Sequence, residues 1–136
     1  MRIIRLVSIV AGVLSLWVCS PVNHRAVFEF AHPGDGRGPV TLVAITDKPE
    51  IIEKARAELA KAPGQRRLHI NGQIARGDGG HNTGWRWHFA PHDWDLAEIS
   101  IELCDGQPSF VDEHLDEWLR DVGRYCPWSS RLVKER

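Results

Sequence analysis

The chain has 136 residues, of which 43% are hydrophobic and 26% charged, and its formal charge is −1. That is enough for one compact domain, too apolar for a disordered segment, and, with no basic run, it lacks the electrostatic footprint of a nucleic-acid binder. Six tryptophans and three cysteines are the unusual features of the composition.

Residues 1–20 read as a signal peptide. Met1-Arg2-Ile3-Ile4-Arg5 is a short basic start, and Leu6 to Val18 is apolar apart from two serines and a glycine. That stretch has the length of a signal core and is short for a membrane span. Val18 and Ser20 suit the positions before a cleavage site, but Pro21 beyond them hinders cutting. Two alternatives stay open: an uncleaved anchor, or lipidation of Cys19, whose context Leu16-Trp17-Val18-Cys19 is a weak lipoprotein box. Contact with a membrane is expected only in those two cases. Export places the domain in the periplasm, cell envelope or medium. There Cys104 and Cys126 form an even pair in an oxidising compartment and are expected to be disulfide-bonded. Two free thiols, one of them buried, are the alternative.

From residue 27 to 136 the pattern is that of a single domain. Val27-Phe28-Glu29-Phe30 is a short strand, followed by a Gly/Pro turn over residues 32–39. Val40 to Ile45 is a continuous apolar run and reads as a buried strand. Asp47 with Glu50 marks a helix start, and Ile51, Ile52, Ala55, Leu59 and Ala62 recur at helical spacing. Leu68, Ile70 and Ile74 alternate with polar residues. The glycine-rich stretch 77–84 is a mobile hairpin loop leading to a strand with Trp85, Trp87 and Phe89 on its dry face. A turn at Pro91 and His92 precedes another strand, with Ala97, Ile99, Ile101 and Leu103 on one face. Ser109 with Asp112 starts a second helix, whose apolar stripe is Val111, Leu115, Trp118, Leu119 and Val122 and whose stop is Gly123. The expected fold is α+β, in the order ββαβββα: a mostly antiparallel sheet of about five strands with two helices on one face.

No catalytic constellation stands out. His88 and His92 lack the companions of a metal site, and no HExxH, CxxC, GxSxG or phosphate-loop motif occurs, so no catalytic residue, metal or cofactor is assigned. Candidate contacts for a ligand or partner are Asp78 and His81 in the glycine-rich loop, Trp94 and Trp128 outside regular elements, and Ser129, Ser130 and Arg131 in the tail. These support an exported, non-enzymatic module that binds a protein or a glycan. A first alternative is a peptidase inhibitor acting through the stiff tail around Arg131, because preorganisation lowers the entropic cost of binding. In the competing reading of that tail, Leu132 and Val133 form a last edge strand and Trp128 plugs the core. A second alternative for function is a small hydrolase or metal-dependent enzyme.

Four segments carry a resemblance: Val27-Phe28-Glu29-Phe30, Ile101-Glu102-Leu103-Cys104-Asp105, Glu113-His114-Leu115-Asp116-Glu117 and the tail from Cys126 to Val133. Together they resemble a group of small exported bacterial domains, similar to the N-terminal domain of a slime-mould protein labelled calmodulin-binding. The resemblance implies a self-standing domain whose two cysteines and Trp-Ser-Ser-Arg tail belong to its core pattern. It implies no reaction and no catalytic residue. Calmodulin binding does not transfer, since the second helix is acidic on its wet face and no basic amphipathic helix is present.

Overall fold

The computed structural model describes residues 24–136. The expected signal peptide and Cys19 lie outside them. β1 (Ala26–His32) and β2 (Val40–Thr46) form an antiparallel pair, with Ala26 opposite Thr46 and His32 opposite Val40. β1 alternates, turning Phe28 and Phe30 inward, whereas β2 is buried on both faces from Leu42 onward, as its unbroken apolar run predicts. α1 (Pro49–Leu59) buries Ile51, Ile52 and Ala55. Its cap position is Lys48 rather than Asp47, because Pro49 occupies the first helical position; Asp47 pairs with His92 at 3.1 Å instead. Near the end of α1, the buried Glu58 accepts hydrogen bonds from the amides of Arg67 and Leu68 and from Lys61 Nζ. Burial opposes ionisation of this carboxyl, but the three donors outweigh it and hold its pKa below the ordinary value of 4.5. This carboxylate turns the chain from the helix into the second sheet.

β3 (His69–Arg76) and β4 (Trp87–Ala97) pair antiparallel, with His69 opposite Ala97 and Arg76 opposite Trp87. Here the expected order fails. The turn at Pro91 and His92 and the start of the strand expected after it are all part of β4, which runs eleven residues. Opposite Gly72 and Ile74 the register shifts, from Phe89 to Trp94, so Pro91 sits in a bulge. β4 is an edge strand of its sheet, where a residue without an N–H breaks no ladder. The bulge also brings Trp94 onto β3: a Cβ at Gly72 would lie 2.4 Å from that of Trp94, so only glycine fits. Beyond Ala97 the chain leaves the sheet, and no strand covers residues 98–103.

The second helix is also divided. α2 (Pro108–Glu113) and α3 (Leu115–Glu117) are separated at His114, and a π-helical turn, Trp118–Val122, ends at Gly123. Arg86 explains the break. Its amide donates to Asp112 Oδ1 at 2.7 Å and its guanidinium reaches the Asp112 carboxylate and carbonyl oxygens, competing with the helical ladder at that turn. β5 (Arg124–Tyr125) then pairs with β3, and β6 (Arg131–Glu135) with β1. The architecture is therefore α+β with two three-stranded antiparallel sheets, ordered β2-β1-β6 and β4-β3-β5, rather than one sheet of five strands.

Between the sheets, Trp87, Phe89, Trp118 and Tyr125 form an aromatic cluster, with Phe89 stacked on Tyr125 and Trp87 edge-on to both. The sheets meet at the outer edge of β2. There Asn82, wholly buried, accepts from the Val43 amide with Oδ1 and donates to the Trp87 carbonyl with Nδ2, both at 2.9 Å. Trp85 Nε1 donates to the Thr41 carbonyl and Trp94 Nε1 to the Ile45 carbonyl. The 77–84 loop is thus a structural joint, not a loose hairpin end. Asn82→Ala strands a buried amide and a buried carbonyl, and is expected to lower unfolding stability by on the order of 3 kcal/mol. Urea unfolding measures it, and a loss within about 0.5 kcal/mol would show that the joint is not formed.

Candidate functional site

Residues 98–103 form a ledge clamped at both ends. On one side Ala97 is paired to His69 in the sheet. On the other, a short 3₁₀ turn (Glu102–Cys104) leads to the disulfide Cys104–Cys126, whose Cα atoms are 5.2 Å apart, and the Cys126 amide donates to the Cys104 carbonyl. This bridge closes a 22-residue separation, worth about 3 kcal/mol in the chain-entropy model. Ile101, at the head of that turn, is extended, with φ −70° and ψ 148°. Among the described residues, the backbone groups of 98–100 make no main-chain hydrogen bond, and the Ile101 carbonyl heads the 3₁₀ turn. Three aliphatic side chains point to solvent: Ile99 is 86% exposed, Ile101 69% and Leu103 67%. Single exposed aliphatics are ordinary; three alternating on one buttressed segment are not.

Ser100, between two of them, faces inward. Its Oγ lies 2.7 Å from Nε2 of the buried His69 and accepts from Asn71 Nδ2 at 2.8 Å. The Asn71 amide is oriented in turn by Arg124, whose Nε donates to Asn71 Oδ1 and whose Nη1 meets Asp93 at 3.3 Å. With Asn71 as donor, the Ser100 hydroxyl proton is directed to His69. Burial, reinforced by the Arg131 cation and opposed by Asp105, lowers the pKa of His69 below 6.5, so the ring is neutral near pH 7 and accepts that proton. A cleft of about 260 Å³ opens on one side of the ledge between Arg67, Glu98, Ile99, Trp128 and Arg131. A second, of about 360 Å³, opens on the other side between Asn71, Ile101, Leu103, Val122 and Arg124.

The candidate residues divide accordingly. Trp128, 40% exposed, and Arg131 border the first cleft. The Trp128 amide donates to Asp105 Oδ1, and Arg131 Nη1 folds back onto the carbonyls of Trp128 and Ser130. Ser129 is exposed. Ser130 is wholly buried, its Oγ donating to the Pro127 carbonyl. Leu132 is buried in β6 as an edge strand, while Trp128 stays outside the core. The expectation that Trp94 is open to solvent fails, because the β4 bulge buries it at 3% exposure beneath Phe28 and Phe30. Asp78 and His81 lie at the other end of the β3–β4 hairpin from the ledge. Asp78 Oδ1 accepts from the Gly80 amide, and His81 Nδ1 contacts the Gly79 carbonyl. Burial, with His88 and Arg25 nearby, lowers the His81 pKa. Among the described residues no three His, Cys, Asp or Glu side chains come together as metal ligands.

Sequence reasoning missed Ile99, Ile101 and Leu103 as exposed residues, and His69, Asn71 and Ser100 as their support. The period-two alternation marks one apolar face, but it carries no information on whether anything covers that face.

The model of one family, described as the BP-74 N-terminal domain, matches residues 24–136. No curated protein and no solved structure matches the chain.

The neutral His69 has a consequence for stability. The unfolded chain takes up this proton as the pH falls through 6.5, whereas the folded site resists it, so the contribution is full above 6.5 and is lost below. His32 and His81 are lowered by burial in the same direction. The Tm is expected to fall between about pH 7 and pH 5, and more gently for His69→Gln, which keeps a hydrogen-bonding group but does not titrate. Parallel thermal melts across that range decide it, and identical slopes would mean His69 is not held neutral.

Proposed function

The chain belongs to the BP-74 N-terminal domain family, and from that footing we propose that it is an exported binding module whose partner, a protein outside the cytoplasm, takes the ledge at 98–103. The observation that carries this reading is the exposure of Ile99, Ile101 and Leu103 on a segment fixed at both ends. Apolar surface held rigidly in water costs no further ordering when a partner covers it. Trp128 beside the ledge adds the aromatic surface common at interface centres, and Arg67 and Arg131 supply a polar rim. The disulfide and the apolar N-terminal segment support a location in the periplasm, envelope or medium. No helix among the described residues is long and apolar enough to cross a membrane.

The test compares wild type with Ile99→Asp/Ile101→Asp as bait in envelope and medium fractions of the native host. Both sites are exposed, so the variant keeps the fold, which its melting curve checks. A stoichiometric protein complex formed by wild type and lost in the variant is expected. Equal capture by both would place the contact elsewhere, and glycan binding retained by both would replace the protein reading.

One contact favours a second reading. A serine hydroxyl 2.7 Å from a neutral histidine is the arrangement a small serine hydrolase uses to activate its nucleophile. Covalent labelling of Ser100 by a fluorophosphonate, abolished in Ser100→Ala, would establish it; an unlabelled protein leaves Ser100 as a structural prop.

A further inference from the structure

Resting on the ledge as the contact surface, we propose that residues 98–103 are a substrate-like reactive segment for a serine peptidase whose primary pocket takes a branched aliphatic side chain. Ile99 enters that pocket, and Ile99–Ser100 is the bond presented to the nucleophile.

Three features converge on this occupant. First, peptidases bind their substrates extended, by pairing main chain to main chain. Three of the four sheet borders carry side-chain caps: Asn82, Trp85 and Trp94 on β2, Arg66 Nη1 donating to the Leu132 and Val133 carbonyls of β6, and Lys54 Nζ donating to the Leu96 carbonyl of β4. The 98–100 backbone, on both sides of the Ile99–Ser100 bond, has no main-chain partner among the described residues, so its donors and acceptors are free to meet a cleft. Second, Ile99 is the most exposed large hydrophobic residue of the described chain, standing between a cleft on either side. Third, the residue after it is fixed. Ser100 is tied to His69 and Asn71, and four residues on Cys104 is bonded to Cys126, next to β5.

The third feature separates an inhibitor from a substrate. When the peptidase serine attacks the Ile99 carbonyl carbon, the C–N bond to Ser100 breaks, and the serine proton passes through the peptidase's own base to the Ser100 amine. In a loose peptide that amine diffuses away and water completes hydrolysis. Here Ser100 stays against its acyl carbon, because β5 and β6 hold the 100–136 portion to β3 and β1. The amine can re-attack, re-form the peptide bond and release the peptidase serine, so turnover is slow. Preorganisation supplies the affinity.

The disulfide-bonded protein is titrated against leukocyte elastase and against trypsin, with residual cleavage of a small chromogenic substrate as the readout. Wild type is expected to inhibit elastase stoichiometrically and to spare trypsin. Ile99→Arg is expected to lose elastase inhibition by at least about 30-fold, the scale of an interface hot spot, and to gain inhibition of trypsin. Arg37→Ala, in the turn between β1 and β2, is expected to behave as wild type. After long incubation, mass spectrometry is expected to find a single cut, at Ile99–Ser100, with both portions co-eluting in native buffer. Wild type inactive on elastase together with Ile99→Arg inactive on trypsin overturns the inference. So does rapid cleavage with release of activity, or a dimer of wild type that Ile99→Arg dissociates, since a second copy then covers the ledge. Loss of the host partner in Ile99→Asp/Ile101→Asp alongside absent inhibition would fail this inference while leaving the binding reading intact.

Discussion

The structure depends on one buried amide. Among the described residues, Asn82 is the sole side chain that bonds the β2 main chain and the β4 main chain at once, accepting from Val43 and donating to Trp87 with no exposure to water. A strand edge buried without partners would leave several polar groups unsatisfied, each at substantial cost. Two more side chains, Trp85 and Trp94, satisfy the Thr41 and Ile45 carbonyls of that edge with their indole N–H groups. Two small sheets, each marginal alone, are thereby joined around one aromatic core.

This way of closing edges runs through the molecule. Arg66, in the segment between α1 and β3, reaches the free edge of β6 and also bonds the Leu59 and Lys61 carbonyls. Lys54 covers the end of β4 and meets Asp95. Side-chain caps of this kind prevent edge-to-edge association. Against that background the open main chain of 98–100 and the exposed aliphatic side chains of 99, 101 and 103 stand out, because the same molecule caps three of its sheet borders. The polar network from Asp93 through Arg124, Asn71 and Ser100 to His69 then acts on the ledge from beneath, fixing its one inward side chain.

Much of the fold was legible in local pattern. β1, the doubly buried β2, α1, the dry face of Trp87 and Phe89, and the Cys104–Cys126 bridge follow from periodicity, length and cysteine count. The errors have specific causes. Pro91 reads as a turn, yet an edge strand with a bulge accepts it, and the bulge buries Trp94 under Phe28 and Phe30. The second helix has a good apolar stripe, but Arg86, 26 residues before Asp112, breaks it at His114. Glycines at 77, 79, 80 and 84 signal a loop and do not reveal that Asn82 within it is the most constrained side chain there.

By itself, then, the sequence determined most of the local choices: which stretches extend, which coil, which face of each is apolar, and which two cysteines are available to pair. These follow from forces between near neighbours in the chain and from composition. Whether an apolar face is covered was decided only by the tertiary structure. Ile70 on β3 and Ile99 after β4 belong to runs with the same alternation, yet one is wholly buried and the other 86% exposed. The difference lies in what arrives from elsewhere in the chain: Ile70 joins a core cluster with residues of β1, β2 and α1, while the 98–101 segment pairs with no strand. Contacts across long separations decide that, and no local pattern encodes them.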